Sequence, residues 1–456
     1  MTRSATLATA LRQRSRPTRR DTFAIAAGGL TASVASPSLA LPIREVDIAV
    51  VGGGAAGIAA ARSLVRAGIS TLIVESQRRT GGRCITDTIT FGAPFDRGAH
   101  WLHSAEVNPL VRLGRDLGFS LYADPERDRL MIGQREATEA ERSAYDAAVQ
   151  GSEEAIVRFS ESRPEDGPAL AGLPRDLGEW RGPVRFRLGP YDCGKTLADI
   201  SIQDYAKAAG GEDVFCRPGV GTLVATLGRG LPTSLGTPVS QVAVENDAVR
   251  IETSRGTLRA RAAIVTVSTS VLAGDTIRFT PGLTDEHRAA IDGLILSSSL
   301  HVGVEIPGNP VGVEPDTTVF LKSDEERTFA AFARAGGSEL WYLDTGGIYA
   351  RELEAAGEQT ATQLAINWLA SVFGEAVRQR IARTAVTLWG RIPTIGGAWS
   401  VASPGKQTSR AALRVPLAER VFFAGEACHD TLWGTVGGAW ETGEAAAREA
   451  IKLVRR

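Results

Sequence analysis

Six residues, Gly52-Gly53-Gly54-Ala55-Ala56-Gly57, follow directly on the apolar run Val46–Val51 and lead into an Ala-rich stretch that closes at Gly68. Glycines at this spacing suit one kind of chemistry, the binding of a dinucleotide. Gly52 allows a tight turn, Gly54 lets the backbone approach a pyrophosphate, and Gly57 lets a helix pack closely on a strand. Ala55 and Ala56 keep the start of that helix small, and its N-terminus offers partial positive charge to the phosphates. Glu75 ends a second apolar run, Thr71–Val74, 18 residues after Gly57. It is placed to accept hydrogen bonds from a ribose. An acid there disfavours a 2′-phosphate, so the ligand is FAD or NAD rather than NADP.

Further residues fit the same chemistry. Arg79-Thr80-Gly81-Gly82-Arg83 follows the acid and can lay backbone N–H groups and a guanidinium against phosphates. Phe95-Asp96-Arg97-Gly98-Ala99-His100-Trp101-Leu102-His103 comes next, with Trp101 and His103 following a Gly-Ala turn. Near the C-terminus an apolar strand, Val421 to Ala424, ends in Gly425-Glu426. A second glycine-bearing helix start follows at Thr435-Val436-Gly437-Gly438.

The elements that must position these residues are readable from pattern. Val46–Val51 and Thr71–Val74 are short β-branched runs, expected as buried parallel strands. Ile58–Ala67 reads as the helix between them, completing a strand–helix–strand unit of α/β type. Residues 135–180 are charged and helical in pattern, and Glu352–Arg383 holds two helical stretches.

Composition narrows the classes. The chain has 456 residues, 43% hydrophobic and 23% charged, enough for two or three domains and against disorder. A net charge of −1 gives no basic field for nucleic acid. That charge is uneven. Residues 1–40 carry six Arg against Asp21, a net of +5, which leaves −6 for the rest. Arg19-Arg20 precedes a weakly apolar run, Ala24 to Ala35, and then Ser38-Leu39-Ala40. The segment looks like a twin-arginine signal, which implies the export machinery as partner and a periplasmic or secreted location. The run is too short to span a bilayer, which needs about 20 apolar residues, and no stable membrane span is expected elsewhere. Cys84, Cys193, Cys216 and Cys428 lack metal or CxxC spacing, and the five His are scattered, so free thiols and no metal site are expected.

In this order and spacing, the segments between Val46 and Arg448 resemble the flavin-containing amine oxidases: monoamine oxidases, polyamine oxidases and the related histone demethylases. The stretch Ile264 to Ser268, with Phe279-Thr280-Pro281 beyond it, resembles the family's return into its FAD domain. The resemblance implies a Rossmann-like FAD-binding domain from discontinuous segments, 41–118, 216–292 and 396–456. It also implies an inserted α+β substrate-binding domain from 119–215 and 293–395. The implied FAD-binding set is Gly52, Gly54, Ala55, Ala56, Gly57, Glu75, Gly82, Arg83, Gly98, Ala99, Gly425, Glu426 and Val436, with Val242 near the adenine.

The family's chemistry passes a hydride from the carbon beside an amine nitrogen to the flavin. O2 reoxidises the flavin to give H2O2, and the imine hydrolyses to an aldehyde. Here the protein positions and tunes the cofactor. The chain departs from the pattern in three places. His301 aligns with a Lys that holds a water near the flavin; it could hold that water, act as a base, or face elsewhere on its strand. Ala398 stands where monoamine oxidases attach flavin through Cys, so FAD should be non-covalent. Ala402 and Thr435 replace the aromatic pair that sandwiches the amine, leaving Trp399 and Trp433 as candidate pocket surface. Trp101 and His103 are the remaining catalytic candidates.

Other readings stay open. An L-amino-acid oxidase or tryptophan 2-monooxygenase would need an Arg to clamp a carboxylate; its usual motif reads Gly98-Ala99-His100-Trp101 here, with Trp in the Arg place. A carotenoid-type desaturase or isomerase, or a flavin-binding protein without oxidase turnover, are the others.

Overall fold

The computed structural model describes residues 44–456. The expected export signal at 1–40 lies outside the described residues. No helix among the described residues is long and apolar enough to cross a membrane. All four cysteines are buried and unpaired.

The first of two large sheets grows from the strand–helix–strand unit. Strand Arg44–Val51 pairs in parallel with Thr71–Val74, in the register Ile48↔Thr71 to Val51↔Val74. On its other edge it pairs in parallel with Gly256–Val265, whose end also pairs in parallel with Val421–Phe423. Strands Ala248–Thr253, Val239–Glu245 and Arg278–Thr280 extend the sheet. Side chains alternate between two covered faces. Ile48, Val50 and Ile264 pack against helices Ala55–Arg66 and Val436–Val454. Ala49, Val51, Ala263 and Val265 pack against Leu272, Leu294 and Phe423 on the other face. Burial on both faces explains why these strands read as continuous apolar runs. Each fully buried Ile or Leu of this core contributes about 1.5–3 kcal/mol.

The two helices on the first face meet through small residues. A Cβ on Gly443 would stand 2.1 Å from the Ala56 carbonyl oxygen, so only glycine permits that crossing. The Ala-rich composition of both helices is therefore a packing requirement.

The second sheet has seven strands in the order Arg383–Val386, Ser299–Glu305, Leu340–Gly346, Ala330–Ala333, Thr317–Leu321, Arg127–Ile132 and Arg135–Glu136. All pairs are antiparallel except Thr317–Leu321 with Arg127–Ile132. One face carries Leu300, Val302, Trp341 and Leu343 and is covered by helices Gly347–Ala356 and Glu358–Phe373. The opposite face carries His301, Tyr342, Asp344 and Phe332. Helix Glu139–Glu161 starts from a capping box: Thr138 Oγ accepts from Glu141 N, and the Glu141 carboxylate accepts from Thr138 N. The charged, helical pattern expected for 135–180 is thus one long helix to residue 161, followed by short turns.

Candidate active site

The glycine turn is built as its spacing implies. Gly52 sits at φ +103°, and a Cβ on Gly57 would stand 2.0 Å from the Gly52 carbonyl oxygen. Thr266 pins the turn from the neighbouring strand, its hydroxyl 3.0 Å from Val51 O and 3.1 Å from Gly52 O. Glu75 is 7% exposed and accepts from Gly53 N at 2.6 Å and from Gln77 N at 2.7 Å. Ser76 Oγ adds a third donor at 3.2 Å, and a carboxylate has about four acceptor positions, so one remains open beside the turn. Residues 79–83 lie on the same turn, with Gly81 N donating to Gly53 O at 2.8 Å.

Glu426 gathers the other glycine segments. It is 5% exposed and lies 3.0 Å from Arg83 Nη1. It also accepts from Ser400 Oγ at 2.7 Å, Ser400 N at 3.1 Å and Gly434 N at 3.1 Å. Arg83 donates to the Ala398 carbonyl as well. Segments 79–83, 396–400 and 425–434 therefore converge on one carboxylate.

A crevice lined by Arg83, Val265 to Thr269 and Phe423 to Cys428 opens at the carboxyl ends of the parallel strands. Open α/β sheets bind ligands there. Gly425, at φ +147°, has nothing within 4 Å of where a Cβ would stand, and Gly54 has only Gly82 Cα, at 4.0 Å. Bare backbone thus faces open space on both sides, and the residues present fit a dinucleotide. Gly98 and Ala99 lie close by. Ala99 N donates to Arg83 O at 3.3 Å, and the Trp389 indole donates to Arg97 O at 3.1 Å, pinning the turn. Val436 opens the helix Val436–Val454 and packs in the same core as Ala55 and Ala56. Val242 is 1% exposed within the apolar core. The chain passes beside Glu75 earlier, where Thr237 N donates to Glu75 O at 2.8 Å. The Val242 side chain thus packs in the core, and 234–237 is the stretch next to the acid.

The second sheet approaches the Gly98 turn through His301. His301, Asp344 and Ala330 stand side by side in register, and Gly303, Tyr342, Phe332, Thr318 and Asp128 form the next row on the same face. His301 Nδ1 lies 2.5 Å from Asp344 Oδ1. Burial opposes charge on the imidazole, but Asp344, with Asp96 and the Gly98 carbonyl, outweighs it and holds its pKa above the ordinary range.

Trp101 and His103 sit at the end of an aromatic wall. Trp101 packs 5.4 Å from Phe332 and its indole N–H donates to Asp124 at 3.2 Å. His103 stacks on Trp101 at 6.3 Å, is 48% exposed, and lies 2.8 Å from Asp213. His100, passed over in the sequence, occupies the middle of the wall. Its ring is 4.7 Å from Tyr342 and 5.2 Å from Phe215, with Nδ1 3.5 Å from Asp96 Oδ2. His301 and His103 are thus linked through packed rings and share no hydrogen bond.

The pocket candidates divide. Trp399 is half-buried, with its ring against Gly434. Trp433 is 8% exposed; its indole N–H donates to Asp204 O at 3.2 Å and the Arg410 guanidinium lies 5.0 Å over its ring. It is a core residue. Thr435 is the N-cap of Val436–Val454, accepting from Gly438 N at 3.0 Å, and Ala402 is fully buried. Hydrogen bonds and packing in the folded chain, not place in the sequence, set where these side chains point.

A family model described as Flavin containing amine oxidoreductase matches residues 126–451, and one described as NAD(P)-binding Rossmann-like domain matches 50–114. The chain belongs to the flavin containing amine oxidoreductase family. Polyamine oxidase 4 of Oryza sativa subsp. japonica is 28% identical over 95% of this chain and 94% of its own. Polyamine oxidase 2 of Arabidopsis thaliana is 27% identical over 89% and 88%. Lysine-specific histone demethylase 2 of Homo sapiens is 25% identical, but only 53% of it is covered. A wild-type putrescine oxidase structure bound to putrescine shares the fold, with TM-score 0.73 and 17% identity over 91% of this chain and all of that one. As a member of this flavin family the chain is an FAD-dependent oxidoreductase of amines, with FAD held non-covalently. When bound, the flavin supplies hydride acceptance from the carbon beside the amine nitrogen and passes the electrons to O2, giving H2O2.

Proposed function

We propose that the substrate is a di- or polyamine, oxidised after twin-arginine export to the periplasm or beyond. In this reading FAD lies against Gly52 to Gly57, Glu75, Gly82, Arg83, Gly98, Ala99, Gly425, Glu426 and Val436, in a unit made of 41–118, 216–292 and 396–456. The amine meets the face that carries His301, in the unit made of 119–215 and 293–395.

The observation that carries the reading is the charge beyond that face. Arg187 packs 4.6 Å over Phe320 and 5.2 Å over Tyr191. It is flanked by Asp192 at 3.6 Å and Asp128 at 3.8 Å. Burial pushes the Asp192 carboxyl up to about 6, against the pull of Arg187 and with repulsion from Glu153 and Asp128. The surrounding protein raises Asp128 and Glu153 as well, although 43% of the Asp128 side chain and 35% of the Asp192 side chain stay open to solvent. Crowded carboxylates of this kind favour a cationic ligand that relieves their repulsion. Two of the relatives matched along nearly their whole length are named polyamine oxidases, which supports the same substrate class.

Arg187 beside these aromatics also favours a second reading, an amino-acid oxidase with Arg187 as carboxylate clamp. Its two flanking acids weigh against that, because the guanidinium is already compensated. Anaerobic mixing of the holoenzyme with di- and polyamines, monoamines and L-amino acids, read by loss of flavin absorbance, decides. Bleaching by polyamines is expected; bleaching by amino acids alone would overturn the reading. For export, Arg19→Lys with Arg20→Lys is expected to retain the precursor in the cytoplasm, and unchanged export would refute the twin-arginine route.

A further inference from the structure

His301 and Asp344 face each other across adjacent antiparallel strands, 43 residues apart in sequence. Their side chains are 12% and 8% exposed. The groups that act on the imidazole are acceptors, negative charges and an aromatic ring, and His100 lies beyond them, 4.7 Å from the Tyr342 ring and 3.5 Å from Asp96. The Gly98 carbonyl faces it from the flavin-side turn, and the Asp96 carboxylate adds its charge from the same connection. Tyr342 lays its ring 6.0 Å away, with its hydroxyl accepting from Asp96 N at 2.9 Å. On the other edge, where strand Arg383–Val386 ends, Thr387 N–H is donated to the His301 backbone carbonyl at 3.1 Å, and the Thr387 hydroxyl is buried without a partner. The charged groups named here that act on His301 are both carboxylates.

A neutral imidazole must leave one ring nitrogen as an acceptor. With a carboxylate on one side and a carbonyl on the other, two donors satisfy the surroundings and one does not. We infer that Asp344 is a positioning residue that keeps His301 doubly protonated, with one ring N–H donated to Asp344 and the other directed to the Gly98 carbonyl. The substrate-side sheet thereby presents a fixed cation to the turn that carries Gly98 and Ala99. His301 then has no free nitrogen with which to take a proton from the amine. It acts through charge and through the placement of that turn, as an ammonium would. The reacting amine must enter neutral, its proton having left to solvent.

The test is an ¹⁵N titration of the holoenzyme imidazoles from about pH 5.5 to 9.5, across the ordinary histidine range, with His301 assigned by its loss in His301→Gln. Two protonated ring nitrogens through the neutral range are expected in the wild type. Asp344→Asn is expected to lower the midpoint by about one unit or more, and Asp344→Glu to restore much of it. The pH profile of kcat/KM in Asp344→Asn is expected to gain an inflection at the lowered midpoint. A wild-type His301 with one protonated nitrogen at neutral pH, or an unmoved midpoint in Asp344→Asn, would overturn the inference. The titration needs no substrate, so its outcome is separate from the amine's identity. Should Asp344→Asn fail to fold, the wild-type titration alone decides.

Discussion

Arg83 and Glu426 are 343 residues apart in sequence and form a 3.0 Å ion pair at the mouth of the crevice. Arg83 is 27% exposed along its side chain and Glu426 only 6%, so the carboxylate is the buried anchor and the guanidinium its lid. The pair joins the segment after Glu75 to the C-terminal glycine strand. Charge-assisted hydrogen bonds of this type contribute about 1.5–3 kcal/mol each. Arg83→Ala is expected to weaken FAD binding by about 10- to 100-fold, since every 1.4 kcal/mol is tenfold. Flavin retained through gel filtration, against protein absorbance, measures it. Undiminished retention would remove Arg83 from the FAD site.

Two glycine substitutions should have opposite signs. Gly57→Ala places a methyl 2.0 Å from the Gly52 carbonyl oxygen, a backbone atom that cannot swing away. The turn must open, at a cost of about 1–3 kcal/mol or more, and flavin should be lost with it. Gly151 lies inside helix Glu139–Glu161, and nothing stands within 4 Å of its Cβ position. Gly151→Ala should stabilise the protein by about 0.5–1 kcal/mol. Denaturant unfolding of both variants checks the contrast; a harmless Gly57→Ala would contradict the close-packed turn.

The contrast shows what kind of information the chain displays locally. The strand, glycine turn, helix, strand and Glu75 are contiguous, and local sterics dictate each step, so that unit was readable. The glycine strand at Val421 was readable for the same reason. Trp433 and Thr435 were not, because alignment gives a position and tertiary packing sets the direction of the side chain. Trp433 turns into the core toward Arg410, and Thr435 spends its hydroxyl on a helix cap. Asp344 was missed because its meaning depends on strand pairing with His301, and no local spacing encodes that register. Arg187 and Asp192 gave no signal, since their significance lies in Phe320 and Asp128, which reach them from strands far along the chain.

Asp204 and Arg410 make a buried bidentate pair, Nε to Oδ1 at 2.8 Å and Nη2 to Oδ2 at 2.7 Å. Both are at most 2% exposed. Breaking one side leaves the other charge without compensation, at about 3–5 kcal/mol. Arg410→Met and Asp204→Asn should each lose stability in that range, measured by denaturant unfolding of the flavin-loaded protein. Trp433→Phe keeps the ring under the guanidinium but loses the indole hydrogen bond. It should lower stability by about 1 kcal/mol and leave KM unchanged. A KM increase without a stability change would return Trp433 to the pocket.

Asp192 gives the proposed substrate class a pH signature. Its carboxyl is pushed up to about 6, chiefly by burial, with Arg187 pulling the other way. Below that pH the group is protonated and adds nothing to cation binding. Above it the anion is present and attracts a second ammonium. For a diamine, KM should therefore fall as pH rises through about 6, while a monoamine of similar length should show no such step. Asp192→Asn should abolish the step for the diamine and leave the monoamine unaffected. The sign for folding is opposite. The folded state binds this proton more tightly than the unfolded chain, whose carboxylate titrates near 3.9. The Asp192 contribution to stability is thus greatest below about pH 4 and declines as pH rises to about 6. Diamine binding should offset that decline, so the diamine should raise the melting temperature more at neutral pH than near pH 5. Equal KM profiles for diamine and monoamine would show that the carboxylates around Arg187 do not meet the substrate.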